Sequence, residues 1–337
     1  MTLEETESTE SDPKQRSRNV LVTGGAGFIG SHLVDALLMR GDRVTVIDDL
    51  STGQLGNLPR GNERLEVVKG TVTSSIDTVA SRFDSVYHLA AAVGVKLVVD
   101  EPIRTIETNV LETSAILRFA SQKTIPILLA SSSEVYGKST AIPMKEDGDL
   151  VFGSTMKSRW SYGCSKALDE HLAMAWFRRE GLPVRLPRLF NTIGHRQRGG
   201  WGMVVPRFVE AALKGNPLIV YGDGSQTRCF CDVHDTVPML LELMDTEASI
   251  GVAVNVGGDE TITILELTEL IRSTLNSNSK VEHMSMDDVY GEGFEDLQDR
   301  QPDLGRLHSM IGHRDRIPLV DTITSIAELI LVGSKQE

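Results

Sequence analysis

Positive charge is scarce in this chain. Its 337 residues carry 34 Lys and Arg against 47 Asp and Glu, a net charge of −13. Such a surface repels phosphate backbones and argues against a nucleic-acid partner, although a local basic pocket for one small anion stays open. Long apolar runs are also missing. No stretch approaches the roughly 18 residues of a membrane span, so no membrane partner is expected. Cysteine is rare: Cys164, Cys229 and Cys231 are all there is. The odd number and the single residue between the last two fit neither a disulfide framework nor a zinc knuckle. They read as reduced thiols in a reducing cytoplasm, with no metal site expected. Residues 1–18 lack the apolar core of a signal peptide, and their Ser/Thr/Glu-rich composition reads as a disordered tail.

What remains has ordinary globular content, 40% hydrophobic and 24% charged, enough for one large domain or two lobes on a shared core. Apolar runs predict strands at Asn19–Thr23, Arg43–Asp48, Leu65–Lys69, Ser85–Leu89, Ile127–Ser131 and Val184–Leu189. Helical patterns lie between them at Phe28–Arg40, Pro102–Ser121 and Tyr162–Glu180, the last stopped by Gly181 and Pro183. Strands alternating with helices imply an α/β fold, a doubly wound parallel sheet covered on both faces. Beyond residue 191 the elements shorten. A cofactor domain over 19–191 and a smaller ligand lobe over 192–337 are expected. The two interleave near 230–256, where a helix over Val233–Met244 returns to the sheet.

The first strand runs into Gly24-Gly-Ala-Gly27-Phe28-Ile29-Gly30. Glycines at three-residue spacing between strand and helix permit a tight turn, close approach of a pyrophosphate and tight helix packing. The helix start then offers free N–H groups to the phosphates. Asp48 ends the second strand, where a carboxylate accepts from both ribose hydroxyls and repels a 2′-phosphate; the expected cofactor is NAD, not NADP. Small residues at Leu89-Ala90-Ala-Ala92 leave room for the dinucleotide backbone. Ser131-Ser132-Ser133-Glu134 closes the fifth strand, at the carboxyl edge where such sheets bind ligands. Tyr162 and Lys166 are four apart, on one helix face. The ammonium and the positive nicotinamide ring are both expected to lower the phenol's pKa, so that Tyr162 can take a proton from a sugar hydroxyl as hydride leaves the same carbon.

The glycine loop, Ser132, Tyr162 and Lys166 together resemble the extended short-chain dehydrogenase/reductase family of nucleotide-sugar epimerases, dehydratases and decarboxylases, over about residues 19 to 330. The resemblance implies a UDP-sugar substrate. It assigns Arg188-Leu-Phe-Asn191 and Tyr221-Gly-Asp-Gly-Ser-Gln226-Thr-Arg228 to the uracil and diphosphate, and implies a homodimer through apolar residues on Ile106–Phe119 and Leu168–Phe177, which could equally be core. Thr71 stands where the family often has an Asp near the adenine, and His195 where it has a proline. Three features discriminate among branches. Glu134 matches dehydratases and decarboxylases, but Ser133 replaces the dehydratase acid. Arg159 matches an arginine of UDP-glucuronate decarboxylases and suits a planar carboxylate. The segment Val289–Asp296 with Arg300-Gln-Pro-Asp303 also resembles that branch. Val93 and Ser133 occupy the places of cysteines associated with ring contraction to apiose, which favours plain decarboxylation. The resemblance thus implies catalytic roles for Tyr162, Lys166, Ser132, Glu134 and Arg300, with Arg159, Ser133, Asn191, Tyr221, Gln226 and Arg228 on the substrate. Glu134 is expected to manage water and the proton returned to C5. A UDP-sugar 4-epimerase and a non-catalytic NAD-binding sensor remain as alternatives.

Overall fold

The computed structural model describes residues 17–79, 82–199, 203–290, 295 and 297–333. Most of the expected tail, residues 1–16, lies outside them, as does part of Val289–Asp296. Strands β1 (Asn19–Thr23), β2 (Arg43–Asp48), β3 (Leu65–Lys69), β4 (Ser85–His88), β5 (Ile127–Leu129), β6 (Ser131–Ser132), β7 (Val184–Leu189) and β8 (Ala253–Val256) form one sheet. Its order is β8-β7-β5-β4-β1-β2-β3, with β6 also on β7, and all its pairings are parallel. Parallel strands need crossovers, and helices α1 (Phe28–Met39), α2 (Pro102–Ser121) and α3 (Ser161–Glu180) are among those that cover the faces.

Both faces are buried, which is why β1 reads as a nearly continuous apolar run. On one side Val20, Val22, Leu33, Val34, Leu37 and Val46 form a core; on the other Leu21, Val86, Ile116, Leu117, Ile127 and Leu129 do. One expectation shifts. Ile127–Ser131 is not a single strand, because the ladder breaks at Ala130, whose N–H donates to His88 O at 3.0 Å. Pairing resumes as Ser131 and Ser132 join β7 opposite Arg188 and Leu189. The break turns the serines out over the carboxyl edge of the sheet.

A third core gathers Ile193, Val205, Phe208, Leu218, Ile264, Leu267, Ile271 and Ile323 from the later part of the chain. Helix α4 (Val204–Leu213) belongs to it. Helix α5 (Val233–Asp245) instead packs its Val233, Val237, Leu240 and Leu243 into the first core, where α1 also sits. A further return, unread in the sequence pattern, brings Leu304 and Leu307 onto the same core. Later segments therefore return to the earlier core, and residues from both parts of the chain line one cleft.

Candidate active site

A cleft of about 500 Å³ runs along the carboxyl edge of the sheet. At one end it is lined by Gly24, Gly27, Phe28, Ile29, Gly30, Asp48 and Ala90. The fit to a dinucleotide is a matter of space. A Cβ on Gly30 would stand 2.1 Å from Gly24 O, and one on Gly24 2.7 Å from Ala90 N, so neither position accepts a side chain. Helix α1 starts at Phe28 with no side-chain cap on its open N–H groups. Asp48 closes this end: Oδ2 accepts from Ala26 N at 2.9 Å and Oδ1 from Leu50 N at 2.8 Å. Burial raises its pKa, partly offset by those bonds. Thr71 caps a short helix by accepting from Ser74 N, and so has a structural task where the family's Asp would meet adenine. His195 likewise serves a loop, its carbonyl accepting from His32 Nε2 at 2.8 Å.

Ser132, Ser133, Glu134, Arg159, Tyr162 and Arg300 meet in the middle of the cleft. Tyr162 is 7% exposed and its phenol shares a hydrogen bond with Ser132. Ser132 Oγ also caps the next turn, accepting from Glu134 N at 3.3 Å. Glu134 is gripped from two sides. Arg159 Nη1 lies 2.7 Å from Oε2, and Arg300 Nη2 lies 2.8 Å from Oε1. Arg159 reaches in from the turn before α3, its guanidinium 5.7 Å from the Trp160 ring centre. Arg300 comes from the short strand Asp299–Arg300, pinned beside Thr227–Cys229, and also makes a long 3.5 Å contact to Ser133 Oγ.

One expectation changes here, and it concerns the phenol. Burial alone would raise the Glu134 pKa, but Arg300 and then Arg159 hold it well below the usual carboxylate range. The phenol of Tyr162 is not lowered but raised, by burial and then by the charge of Glu134. Lys166 Nζ sits 2.9 Å from Asp169 Oδ2 in a pair that is almost wholly buried.

At the far end Asn191, Tyr221, Gln226 and Arg228 line the cleft. Asn191 Nδ2 donates to Cys229 O at 2.9 Å and Gln226 Nε2 to Tyr221 O at 3.0 Å. Arg228 Nη1 donates to Thr227 O at 2.8 Å. Arg188 is different: it binds Glu170 at 2.7 Å and stacks on Tyr136, away from the cleft. Three residues went unread in the sequence. Arg207 of α4 lies over the Tyr221 ring at 4.1 Å. Asp169 could have been found as an acid three residues after a helix lysine. His88, buried behind the pair, carries no local signal. Cys229 and Cys231 are buried and Cys164 is exposed.

Comparison with known proteins agrees with this geometry. A curated relative from Bacillus cytotoxicus, named UDP-N-acetyl-alpha-D-glucosaminuronate decarboxylase, is 40% identical over 87% of this chain and 91% of its own length. The UDP-glucuronic acid decarboxylase 1 of Danio rerio is 37% identical over 91% of this chain and 71% of its own. Among solved structures, the UDP-glucuronic acid 4-epimerase of Bacillus cereus, in complex with UDP-glucuronic acid and NAD, superposes with a TM-score of 0.84 at 26% identity, covering 94% of this chain and 99% of that one. The model of the NAD dependent epimerase/dehydratase family matches residues 20–257, and with a glycine cradle, a tyrosine–lysine helix and a serine-rich strand end in the places that chemistry requires, the chain belongs to that family.

Proposed function

We propose that the protein decarboxylates UDP-glucuronate to UDP-xylose. The observation that carries this reading is the pair of buried guanidiniums, Arg159 and Arg300, around a single carboxylate beside Tyr162. Two cations against one anion leave a net positive site, which a neutral hexose would waste and a sugar carboxylate matches. Arg300 Nε is buried with no hydrogen-bond partner among the described residues, a donor that a ligand carboxylate satisfies. The names of the curated relatives support the same chemistry.

NAD, when bound, supplies the hydride acceptor and returns the hydride at the same carbon. Gly24, Gly27 and Gly30 leave its pyrophosphate room, Asp48 takes the ribose, and Lys166 with Tyr162 lies at the nicotinamide end. The Lys166 ammonium, with the positive nicotinamide ring of bound NAD, favours phenolate, and Tyr162, hydrogen-bonded to Ser132, then accepts the proton of the C4 hydroxyl. A C4 ketone is β to the C6 carboxylate, so the C5–C6 bond can break with its electron pair passing to the ketone oxygen. Tyr162 and Ser132 donate to that oxyanion. C5 then takes a proton from water held by Glu134, and return of the hydride to C4 with the Tyr162 proton to O4 gives UDP-xylose. Arg159 and Arg300, spaced by Glu134, orient the carboxylate until carbon dioxide leaves. Asn191, Tyr221, Gln226 and Arg228 hold the uridine diphosphate, with Ser133 beside the sugar. The substrate-facing residues are drawn from both the 19–191 and 192–337 parts of the chain.

The protein also fits a homodimer of the cytoplasm. Ile106 (42% exposed) and Leu111 (56%) on α2 and Leu168 (50%) on α3 present apolar surface on two helices that pack together, as a two-fold four-helix contact requires. No helix among the described residues is long and apolar enough to cross a membrane.

A second reading comes from the Bacillus cytotoxicus relative: the uronate carries a 2-acetamido group. Incubation with UDP-glucuronate and, separately, with UDP-N-acetylglucosaminuronate, followed by mass analysis of the product, decides between them. Loss of carbon dioxide from the first supports the proposal. Loss only from the second transfers the chemistry to the amino sugar. A C4 epimer with no carbon dioxide from either makes the protein a uronate epimerase, and no turnover at all leaves a cofactor-binding sensor.

A further inference from the structure

The helix row that carries Tyr162 and Lys166 continues to Asp169, at i, i+4 and i+7 along α3. Lys166 Nζ and Asp169 Oδ2 are 2.9 Å apart, with side chains 2% and 1% exposed. Charges this deep persist only when each compensates the other. The pair is also tied into the scaffold. Thr113 of α2 hydrogen-bonds Asp169, and its hydroxyl lies 3.4 Å from His88 Nε2 at the end of β4. His88 Nδ1 is 2.7 Å from Thr23 Oγ1, and Ala90 N donates to the same hydroxyl at 3.4 Å. Thr23 immediately precedes Gly24. A buried polar path therefore joins the lysine to the glycine loop and to the small residues after β4.

We propose that Asp169 is a positioning residue of the catalytic pair: it anchors the Lys166 ammonium and offsets the positive charge that the Tyr162 phenol meets. This rests on reading Tyr162 and Lys166 as the catalytic pair, but not on which sugar is bound. The groups acting on the phenol are Ser132 and Glu134 from the segment after β5, Arg300 from Asp299–Arg300, and Asp169 from α3, whose partner Lys166 stands one turn along the helix from Tyr162. Those facing Asp169 are Lys166, Thr113 and the neighbouring Glu170, itself held by Arg188 of β7 at 2.7 Å. His88 stays neutral, since burial and then the nearby Lys166 lower its pKa to about 3. Glu134 and Asp169 both push the phenol's pKa up. Neutralising Asp169 removes one of these charges and leaves the ammonium uncompensated, and both changes favour phenolate.

The test is an ultraviolet tyrosinate titration of the full-length protein as purified. It is carried out on wild type, Asp169→Asn, Asp169→Ser and Asp169→Glu, each paired with its Tyr162→Phe counterpart so that the difference reports Tyr162. The neutral variants should move the Tyr162 midpoint down by about one pH unit or more, the usual effect of one uncompensated neighbouring charge. Asp169→Glu should stay near wild type. Adding Lys166→Met to Asp169→Asn should reverse most of the shift, because the charge responsible is gone. The acid limb of the turnover–pH profile should move the same way. Folded neutral variants whose midpoint stays or rises would overturn the proposal. So would the case in which only Asp169→Glu folds, since the carboxylate would then be needed for structure alone.

Discussion

Arg300 lies with its Nη2 2.8 Å from Glu134 Oε1, joining the short strand Asp299–Arg300 to the turn after Ser132. With Arg159 on the other oxygen, the contact holds one carboxylate between two cations in the cleft beside Tyr162.

If that spacing orients a substrate carboxylate, Arg159→Met should harm the uronate selectively. The catalytic efficiency for UDP-glucuronate should fall by about tenfold to a hundredfold, the worth of one charged hydrogen bond, while the already poor rate with UDP-glucose changes little. Comparing kcat/KM for the two sugars decides it. An equal loss for both would make Arg159 structural. Because the variant also breaks a buried ion pair, a stability loss of about 3 kcal/mol should appear in denaturant unfolding.

Tyr162→Phe removes one oxygen from a packed site and should leave the fold and NAD binding intact. Turnover should drop by roughly 10²–10⁴-fold, as expected for loss of a general acid–base group. Steady-state rates beside a cofactor titration check both halves, and near-normal turnover would exclude Tyr162 from proton transfer.

Asp48 should set cofactor choice. Its carboxylate closes the ribose end of the cleft, so a 2′-phosphate meets like charge there. NAD should bind more tightly than NADP by about tenfold or more, and Asp48→Ser should narrow that ratio. Calorimetric titration with each dinucleotide measures it; equal binding to wild type would place Asp48 away from the ribose.

Gly30→Ala should not be tolerated. The new methyl would stand 2.1 Å from the Gly24 carbonyl, a backbone atom that cannot swing aside. Thermal and denaturant unfolding should show a loss of about 3 kcal/mol, and NAD binding should weaken as the loop is displaced. A fully stable, NAD-binding variant would contradict this geometry.

His88 predicts a pH dependence. Its pKa, ordinarily near 6.5, is lowered to about 3 by burial and then by Lys166. A histidine lowered in the folded state binds fewer protons there than when unfolded. Its contribution is therefore intact above pH about 6.5 and is lost progressively as pH falls towards 3. The difference in Tm between wild type and His88→Asn, taken across this range, isolates the group. Wild type should lose the more stability on acidification, and parallel curves would show that His88 does not titrate this way.

Much of the machinery was legible because it is local. A glycine loop between a strand and a helix, an acid at the end of the next strand, and Tyr162 four residues before Lys166 are fixed by short-range geometry, which spacing alone reports. The parallel sheet was legible from alternating periodicities, except at Ala130, which separates β5 from β6. Partner choice was not legible. Lys166 had Tyr162 on one side and Asp169 on the other, and only burial, which makes an unpaired charge costly, decided that the ammonium rests on Asp169. Nor did spacing show that the fold would bring Arg159 and Arg300 onto Glu134 from separate elements. The sequence by itself determined the local spacings: the glycine loop between strand and helix, the acid that ends β2, and Tyr162 and Lys166 on one helix. The tertiary structure decided their charge states and pairings, because Coulomb forces and desolvation depend on distance and burial in space and not on separation along the chain.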